Sequence, residues 1–179
     1  AQRRINKGIL DFLPMAPNVF GFSGGSIEGA IRPHLKAKTI LCVDFREAFP
    51  SITSENVFNY LIAGRRVWTT GRHSREIVKI EYGWFSWYAA KILTELTTYQ
   101  GKLPRGAPTS PRLFDLICQK LDKGLLKLAK NVGGTYTRYA DNVFFSVNME
   151  EFPRPLKQAI LKLIEGRQWS FDRQHKRKD

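Results

Sequence analysis

Two short segments place a carboxylate where the edge of a sheet can hold a hard cation. In Val43-Asp44-Phe45-Arg46-Glu47-Ala48-Phe49, an acid ends the apolar run Lys38 to Asp44 and a turn follows. An acid in that setting is well placed to hold a hard cation. In Tyr139-Ala140-Asp141-Asn142, a second acid sits at the tip between two apolar stretches. Both have a plainer reading, since Asp after a strand often caps a turn and Asp-Asn is ordinary hairpin-tip chemistry. A third segment, Leu103 through Pro111 (LPRGAPTSP), is a stiff loop feeding a helix. Its prolines fix the backbone and Gly106 admits a close ligand, although a simple connector would look the same.

The elements that must position these residues follow from periodicity. Ile5, Ile9 and Phe12 give Arg3 to Phe12 one apolar side, which predicts a short amphipathic helix. Residues 14–25 hold Pro14, Pro17, Gly21, Gly24 and Gly25 and read as a loop. Ser26 caps a second helix, with Ile27, Ala30 and Ile31 on its apolar side. Lys38 to Asp44 predicts a buried strand. Ser54 opens another helix, and Ser74 to Leu96 predicts a long one despite Gly83. Residues 99–108 are turn-rich and allow a short hairpin. From Thr109, apolar residues at 113, 116, 117, 121, 125 and 128 keep a helical period. Gly133-Gly134 breaks it, Thr135 to Ala140 and Val143 to Val147 predict two strands, residues 155–165 a helix and Trp169 to Phe171 a last strand. The order β-α-α-β-β-α-β describes a split ferredoxin-like unit in the α+β class.

A chain of 179 residues fits one domain with a proper core, and 42% hydrophobic with 12% aromatic residues excludes a disordered segment. Lys and Arg number 29 against 16 Asp and Glu, a formal charge of +13. A sequence pI near 10.0 favours a polyanionic partner, nucleic acid first, over a basic domain without one. Cys42 and Cys118 lie in apolar contexts and read as small buried hydrophobes, while His34, His73 and His175 are scattered, which disfavours a zinc site. No apolar run reaches a bilayer span and no signal segment opens the chain, so the expectation is a reduced, cytoplasmic protein with no membrane partner.

In order along the chain, the three segments resemble those of reverse transcriptases, specifically the bacterial retron and group II intron branch. Phe20-Gly21-Phe22 with Gly25-Ser26-Ile27 resembles the block preceding the palm, and Asp44 through Phe49 the first catalytic motif. Leu103 through Pro111 resembles the template and nucleotide loop, and Tyr139 through Asn142 the Tyr-x-Asp-Asp box. The resemblance implies a polymerase palm, a ferredoxin-like antiparallel sheet with packed helices, joined to partial helical fingers. Residues 1–37 would be partial fingers and 38–179 palm, with a fingers insertion at about 55–100. A fingers hairpin, a primer grip and a thumb are expected to be missing.

The implied activity is RNA-directed DNA synthesis, with RNA template, DNA primer and deoxynucleoside triphosphate as partners. Asp44 and Asp141 would hold two Mg²⁺ ions, with Mn²⁺ able to substitute, joined by the Phe45 carbonyl and by Asn142 at the outer edge. The amides of Phe45 to Ala48 would face the triphosphate, so Arg46, Glu47, Ala48 and Phe49 line the nucleotide together with Arg105 and Gly106. Phe49 resembles the sugar gate that excludes a 2′-hydroxyl, with a core phenylalanine as the plainer reading. Pro104, Pro108, Ser110, Tyr139 and Lys176 would meet template or primer, and Arg32, Lys36, Lys38, Arg65, Arg66, Arg72 and Arg75 supply candidate phosphate contacts. Lys176 equally suits a solvated tail. Two positions depart from the family pattern: Arg105 stands where Gln is usual, and Asn142 removes the second charge of the box. They favour the alternative, a non-catalytic nucleic-acid-binding palm in a defence or mobile-element protein.

Overall fold

The computed structural model describes residues 1–22, 25–63, 65–67, 79–81 and 85–166, with the backbone alone described at 65–67 and 79–81. The strands are β1 (Val19–Phe20), β2 (Thr39–Asp44), β3 (Arg65–Val67), β4 (Lys79–Glu81), β5 (Thr135–Tyr139) and β6 (Asn142–Val147). The α-helices are α1 (Gln2–Gly8), α2 (Ile27–Ile31), α3 (Ser54–Ile62), α4 (Trp87–Thr97), α5 (Ser110–Asn131) and α6 (Arg154–Glu165). Four strands form one sheet in the order β1-β5-β6-β2, and β3 with β4 forms a separate antiparallel pair.

Strand register sorts every side chain of the sheet onto one of two faces. β2 runs antiparallel to β6 with Val43 opposite Val143 and Asp44 opposite Asn142. β5 runs antiparallel to β6 with Tyr136 opposite Phe145 and Arg138 opposite Val143. Side chains alternate along a strand, so Leu41, Val43, Tyr136, Arg138, Val143 and Phe145 share the inner face. Asp44, Asn142, Phe144 and Tyr139 share the other. α5 and α6 cover the inner face, bringing Leu113, Phe114, Leu116, Leu121, Leu125, Ile160 and Ile164 into the core. Each such fully buried Leu, Ile or Phe contributes about 1.5–3 kcal/mol.

On the other face, His34 is buried where α2 and the turn after it pack on β5 and β6. Its Nε2 lies 2.8 Å from Thr137 Oγ1, and Thr137 donates its own hydroxyl to Ala30 O. Nε2 therefore carries the proton and Nδ1 accepts from Ser146 Oγ, 2.7 Å away. Burial pushes the His34 pKa below its ordinary value, which suits this neutral ring.

Several expectations hold. Ser26 Oγ accepts from Gly29 N at the head of α2. Thr53 and Asn56 form a reciprocal cap on α3, one residue before the expected start. Tyr99 and Lys102 pair across Gln100 (φ 49) and Gly101 (φ 73), the two left-handed central residues of a tight hairpin turn. α5, β5, β6 and α6 fall where periodicity puts them, and Pro111 in the first turn of α5 is compatible with that start.

Others need correction. α1 ends at Gly8 and a tighter 3₁₀ turn, Leu10–Phe12, rotates the following residues. Leu10 and Leu13 are buried as a result and Phe12 is 79% exposed. Of the α2 side chains only Ala30 is buried, and Ile27 and Ile31 face outward. The loop at 14–25 contains β1, which pairs parallel to β5, so the sheet is mixed and not purely antiparallel. The long helix at 74–96 is instead β4 at 79–81 and α4 from Trp87, with residues 74–78 and 82–84 outside the described set. β2 is half-exposed rather than buried. Among the described residues it lies at one edge of the sheet, and its outer face leaves Ile40 47% exposed and Cys42 exposed. Cys118 is buried as expected. The strand expected at 169–171, and His73 and His175, lie outside the described residues.

Candidate active site

The β5–β6 hairpin brings the two acids to one end of the sheet. Asp44 is the last residue of β2 and faces Asn142 in register, which sets their Cα atoms about 4.5–5.5 Å apart. One residue on, the Phe45 amide donates to Asp141 O at 3.1 Å and closes the ladder beside the turn. That bond occupies the Phe45 N–H, which therefore cannot face a triphosphate. Asp44 is exposed, and Asp141 and Asn142 are half-buried. The Asn142 amide Nδ2 donates to Asp141 Oδ1 at 3.3 Å.

The turn itself is held from behind. Ala140 adopts φ 53, a left-handed conformation that a residue with a Cβ takes only when its surroundings impose it. Its N–H donates to Phe20 O at 3.2 Å, and its carbonyl accepts from Arg138 Nη1 at 2.7 Å. Gly21 (φ 94) makes this approach feasible, because a Cβ there would stand 2.9 Å from Ala140 N.

Around the acids, the turn after β2 and the loop before α5 face each other. Arg46, Glu47, Pro50, Ser51 and Lys102 line an open groove. Glu47 has φ 49, and its carboxylate lies 3.8 Å from Arg105 Nη2, an exposed pair of the kind that contributes little to stability. Ala48 is buried. Gly106 adopts φ 78 with open space where a Cβ would be, so its backbone conformation, and not crowding, requires glycine.

Pro104 is half-buried and Pro108 exposed. Ser110, expected at a template or primer, is instead buried and donates its hydroxyl to Pro104 O at 2.7 Å, closing the loop onto α5. Phe49 is half-buried between Phe22 and Phe114, at ring-centroid distances of 5.6 and 5.5 Å. Tyr139, at the end of β5, is half-buried beside Phe20 of β1.

Among the candidate phosphate contacts, Arg32 pairs with Glu28 at 2.8 Å and Lys38 with Glu150. Lys36 is exposed. The side chains of Arg65 and Arg66 and all of Arg72, Arg75 and Lys176 lie outside the described residues.

Four residues that the sequence did not single out lie beneath the hairpin. Arg138 is fully buried and contacts Asp115 and Asp122 of α5, and Tyr136 donates its hydroxyl to Asp122 at 2.6 Å. Burial, then the Asp122 charge, pushes the Tyr136 hydroxyl well above its ordinary range, so it stays a donor. The available signal was the seven-residue spacing of Asp115 and Asp122, which puts both on the apolar side of α5.

The donor set suits a hard divalent ion. Two carboxylates, the Phe45 carbonyl and the Asn142 amide could each offer an oxygen, and Mg²⁺ is commonly held by one or two carboxylates plus water and substrate oxygens. Among the described residues no group of three or more His, Cys, Asp or Glu gathers that could hold a metal ion. No helix of the described residues is long and apolar enough to cross a membrane.

Comparison with known proteins finds relatives over most of the chain. The chain is 32% identical over 166 residues to the retron Ec86 reverse transcriptase of Escherichia coli, covering 92% of this chain and 43% of that protein. It is 34% identical over 166 residues to the retron Mx162 reverse transcriptase of Myxococcus xanthus, covering 87% of this chain and 32% of that protein. It is also 32% identical over 154 residues to the retron Mx65 reverse transcriptase of the same organism, covering 81% of this chain and 34% of that protein. The chain therefore spans less than half the length of each of these relatives. No protein-family model matches it.

Proposed function

We propose that this chain, a member of the retron reverse transcriptase family matched over most of its length, carries the nucleotidyl-transfer site of an RNA-directed DNA polymerase. The observation that supports this most is the placement of Asp44 and Asp141 at one sheet end, joined by the Phe45–Asp141 backbone bond. Residues 38–179 would then form the palm, with 1–37 and the insertion at about 55–100 belonging to the fingers.

Mg²⁺, when bound, neutralises charge on the attacking and leaving oxygens of an in-line displacement. Asp44 and Asp141 would hold it with their carboxylates, Phe45 with its carbonyl and Asn142 from the outer edge. Arg46 and Lys102, on the rim of the groove, would meet the triphosphate, with Glu47 and Arg105 opposite. Phe49 would lie under the sugar and exclude a 2′-hydroxyl. Tyr139, Pro104 and Pro108 would border the RNA template and DNA primer, to which the surplus of +13 is complementary.

Primer extension on an RNA template by the full-length protein, with Mg²⁺ and then Mn²⁺, tests the reading. Product that grows with deoxynucleotide supports it. Tight binding of primer and template with no product under either ion supports the non-catalytic module. That second reading draws on Asn142, whose amide donates to Oδ1, one of the two Asp141 carboxylate oxygens that an ion could use.

The same contact sets a prediction. Asn142→Asp removes the competing donor and adds a charge, and Asp suits this turn as well as Asn does. Stability should stay within about 1 kcal/mol, and the Mg²⁺ concentration for half-maximal extension should fall. If the parent is already fully active at low Mg²⁺ and the variant is no better, two carboxylates suffice here.

A further inference from the structure

The charges buried beneath the hairpin have no part in the chemistry above, yet their geometry is highly specified. Arg138 Nε and Nη2 fork onto Asp122 Oδ1 and Oδ2 at 2.8 and 2.9 Å. Nη1 donates to Asp115 Oδ1 and to Ala140 O, both at 2.7 Å. Four of the five guanidinium N–H donors are thereby engaged. Asp122 is held in turn by the Tyr136 hydroxyl, and the Phe114 ring lies 5.5 Å from Arg138 Cζ. We infer that Arg138 is a positioning residue: locked in plane by Asp115 and Asp122, it fixes the peptide between Ala140 and Asp141 and so sets where the Asp141 carboxylate stands.

Stability alone does not account for such a cluster. Taking a guanidinium and two carboxylates out of water offsets most of their attraction, and apolar side chains of similar volume often serve as well or better. What an apolar set cannot do is donate to Ala140 O. That carbonyl belongs to a residue held at φ 53, whose N–H is pinned to Phe20 O on its other side. With the Arg138 donor gone, Ala140 keeps the tie of its N–H to β1, but the peptide leading into Asp141 loses its tie, through Arg138, to α5.

The helix that supplies Asp115 and Asp122 also begins at Ser110, whose hydroxyl closes the Pro104 loop. Metal turn and nucleotide loop are therefore referenced to one rigid element. Phe114 extends the same frame, since it also packs on Phe45 and Phe49.

This inference rests on the polymerase reading, and its test separates the two. The full-length protein would be compared with the apolar triple Arg138→Met/Asp115→Leu/Asp122→Leu and with Arg138→Lys, which keeps a charge and a donor but loses the fork. Three quantities are read: the thermal midpoint, Mn²⁺ affinity by electron paramagnetic resonance with primer, template and a non-reactive nucleotide analogue, and the extension rate.

The triple should melt near the parent, bind Mn²⁺ about 10–100-fold more weakly, the range for lost supports of metal ligands, and extend about 10²-fold more slowly. Arg138→Lys should fall between parent and triple. A folded triple with parental Mn²⁺ affinity and rate overturns the positioning role. If the triple does not fold, Arg138→Lys decides alone, and parental Mn²⁺ affinity in it overturns the role equally. Unchanged extension by Asp141→Ala is a different failure, that of the polymerase reading itself.

Discussion

Replacing Asp141 with alanine in the full-length protein should lower primer extension by about 10³-fold or more while its thermal midpoint barely moves. Asp44→Ala should lower extension likewise. A bound divalent ion supplies several kcal/mol of transition-state stabilisation, and each 1.36 kcal/mol is a factor of ten in rate. Among the described residues, Asp44 and Asp141 are the carboxylates that β2 and the hairpin bring to this sheet end, so on the proposed reading removing either would halve the protein charge facing the ion.

Neither side chain belongs to the buried core. Asp44 is exposed at a strand end. Asp141 is held in place through its backbone carbonyl, which accepts from Phe45 N, and alanine leaves that bond intact. The Asp141 side chain accepts from the Asn142 amide, which is half-buried and able to turn to water. The stability change should therefore stay within about 1 kcal/mol. Extension rates at saturating Mg²⁺, with the melting curve of each variant beside them, decide the matter. A variant that melts like the parent and extends at a tenth of its rate or better would remove the carboxylates from the chemistry.

What the sequence made legible follows from the range of the interactions involved. The two hairpin strands, α3, α5 and α6 are set by local periodicity, caps and turn residues, and a window of a dozen residues contains all of it. The meeting of Asp44 and Asp141 is non-local, and no pattern of spacing predicts it; the resemblance of both segments to a known family did. β1 is two residues long and exists only because β5 offers it a parallel edge. β4 falls within a stretch whose composition reads as helix, and pairing with β3 overrides that preference.

Burial was misjudged wherever only one face of an element is covered. Ile40 and Cys42 alternate with Val43 on β2, and a continuous apolar run conceals which face is which. The Arg138 cluster escaped for a further reason. Apolar periodicity treats an acid on a helix as outward-facing, whereas Asp115 and Asp122 point inward because a guanidinium 23 and 16 residues further along meets them there.

Phe49→Val in the full-length protein should, on the polymerase reading, admit ribonucleotides, narrowing the preference for deoxynucleotides by about 10²-fold, the scale on which a tight steric pocket separates close analogues. A steric stop has to resist being pushed aside. Phe49 meets that condition, since Phe114, fully buried, braces the ring at 5.5 Å on one side and Phe22 braces it at 5.6 Å on another, both tilted. The ring stays half-exposed at the end of the turn that begins with Asp44, so one edge is available to a ligand. Valine shortens that edge and leaves most of the packing against Phe114. Stability should drop by about 1–3 kcal/mol, less than full truncation of a buried aromatic ring costs. The two effects separate in measurement. Specificity constants for a ribonucleotide and its deoxy analogue, taken well below the melting midpoint, report the gate, and the melting curve reports the packing. A lower midpoint with an unchanged ratio of constants assigns Phe49 to the core alone and puts sugar discrimination elsewhere. A changed ratio with deoxynucleotide use largely retained places the ring under the sugar, five residues from the carboxylate that this reading gives to the metal.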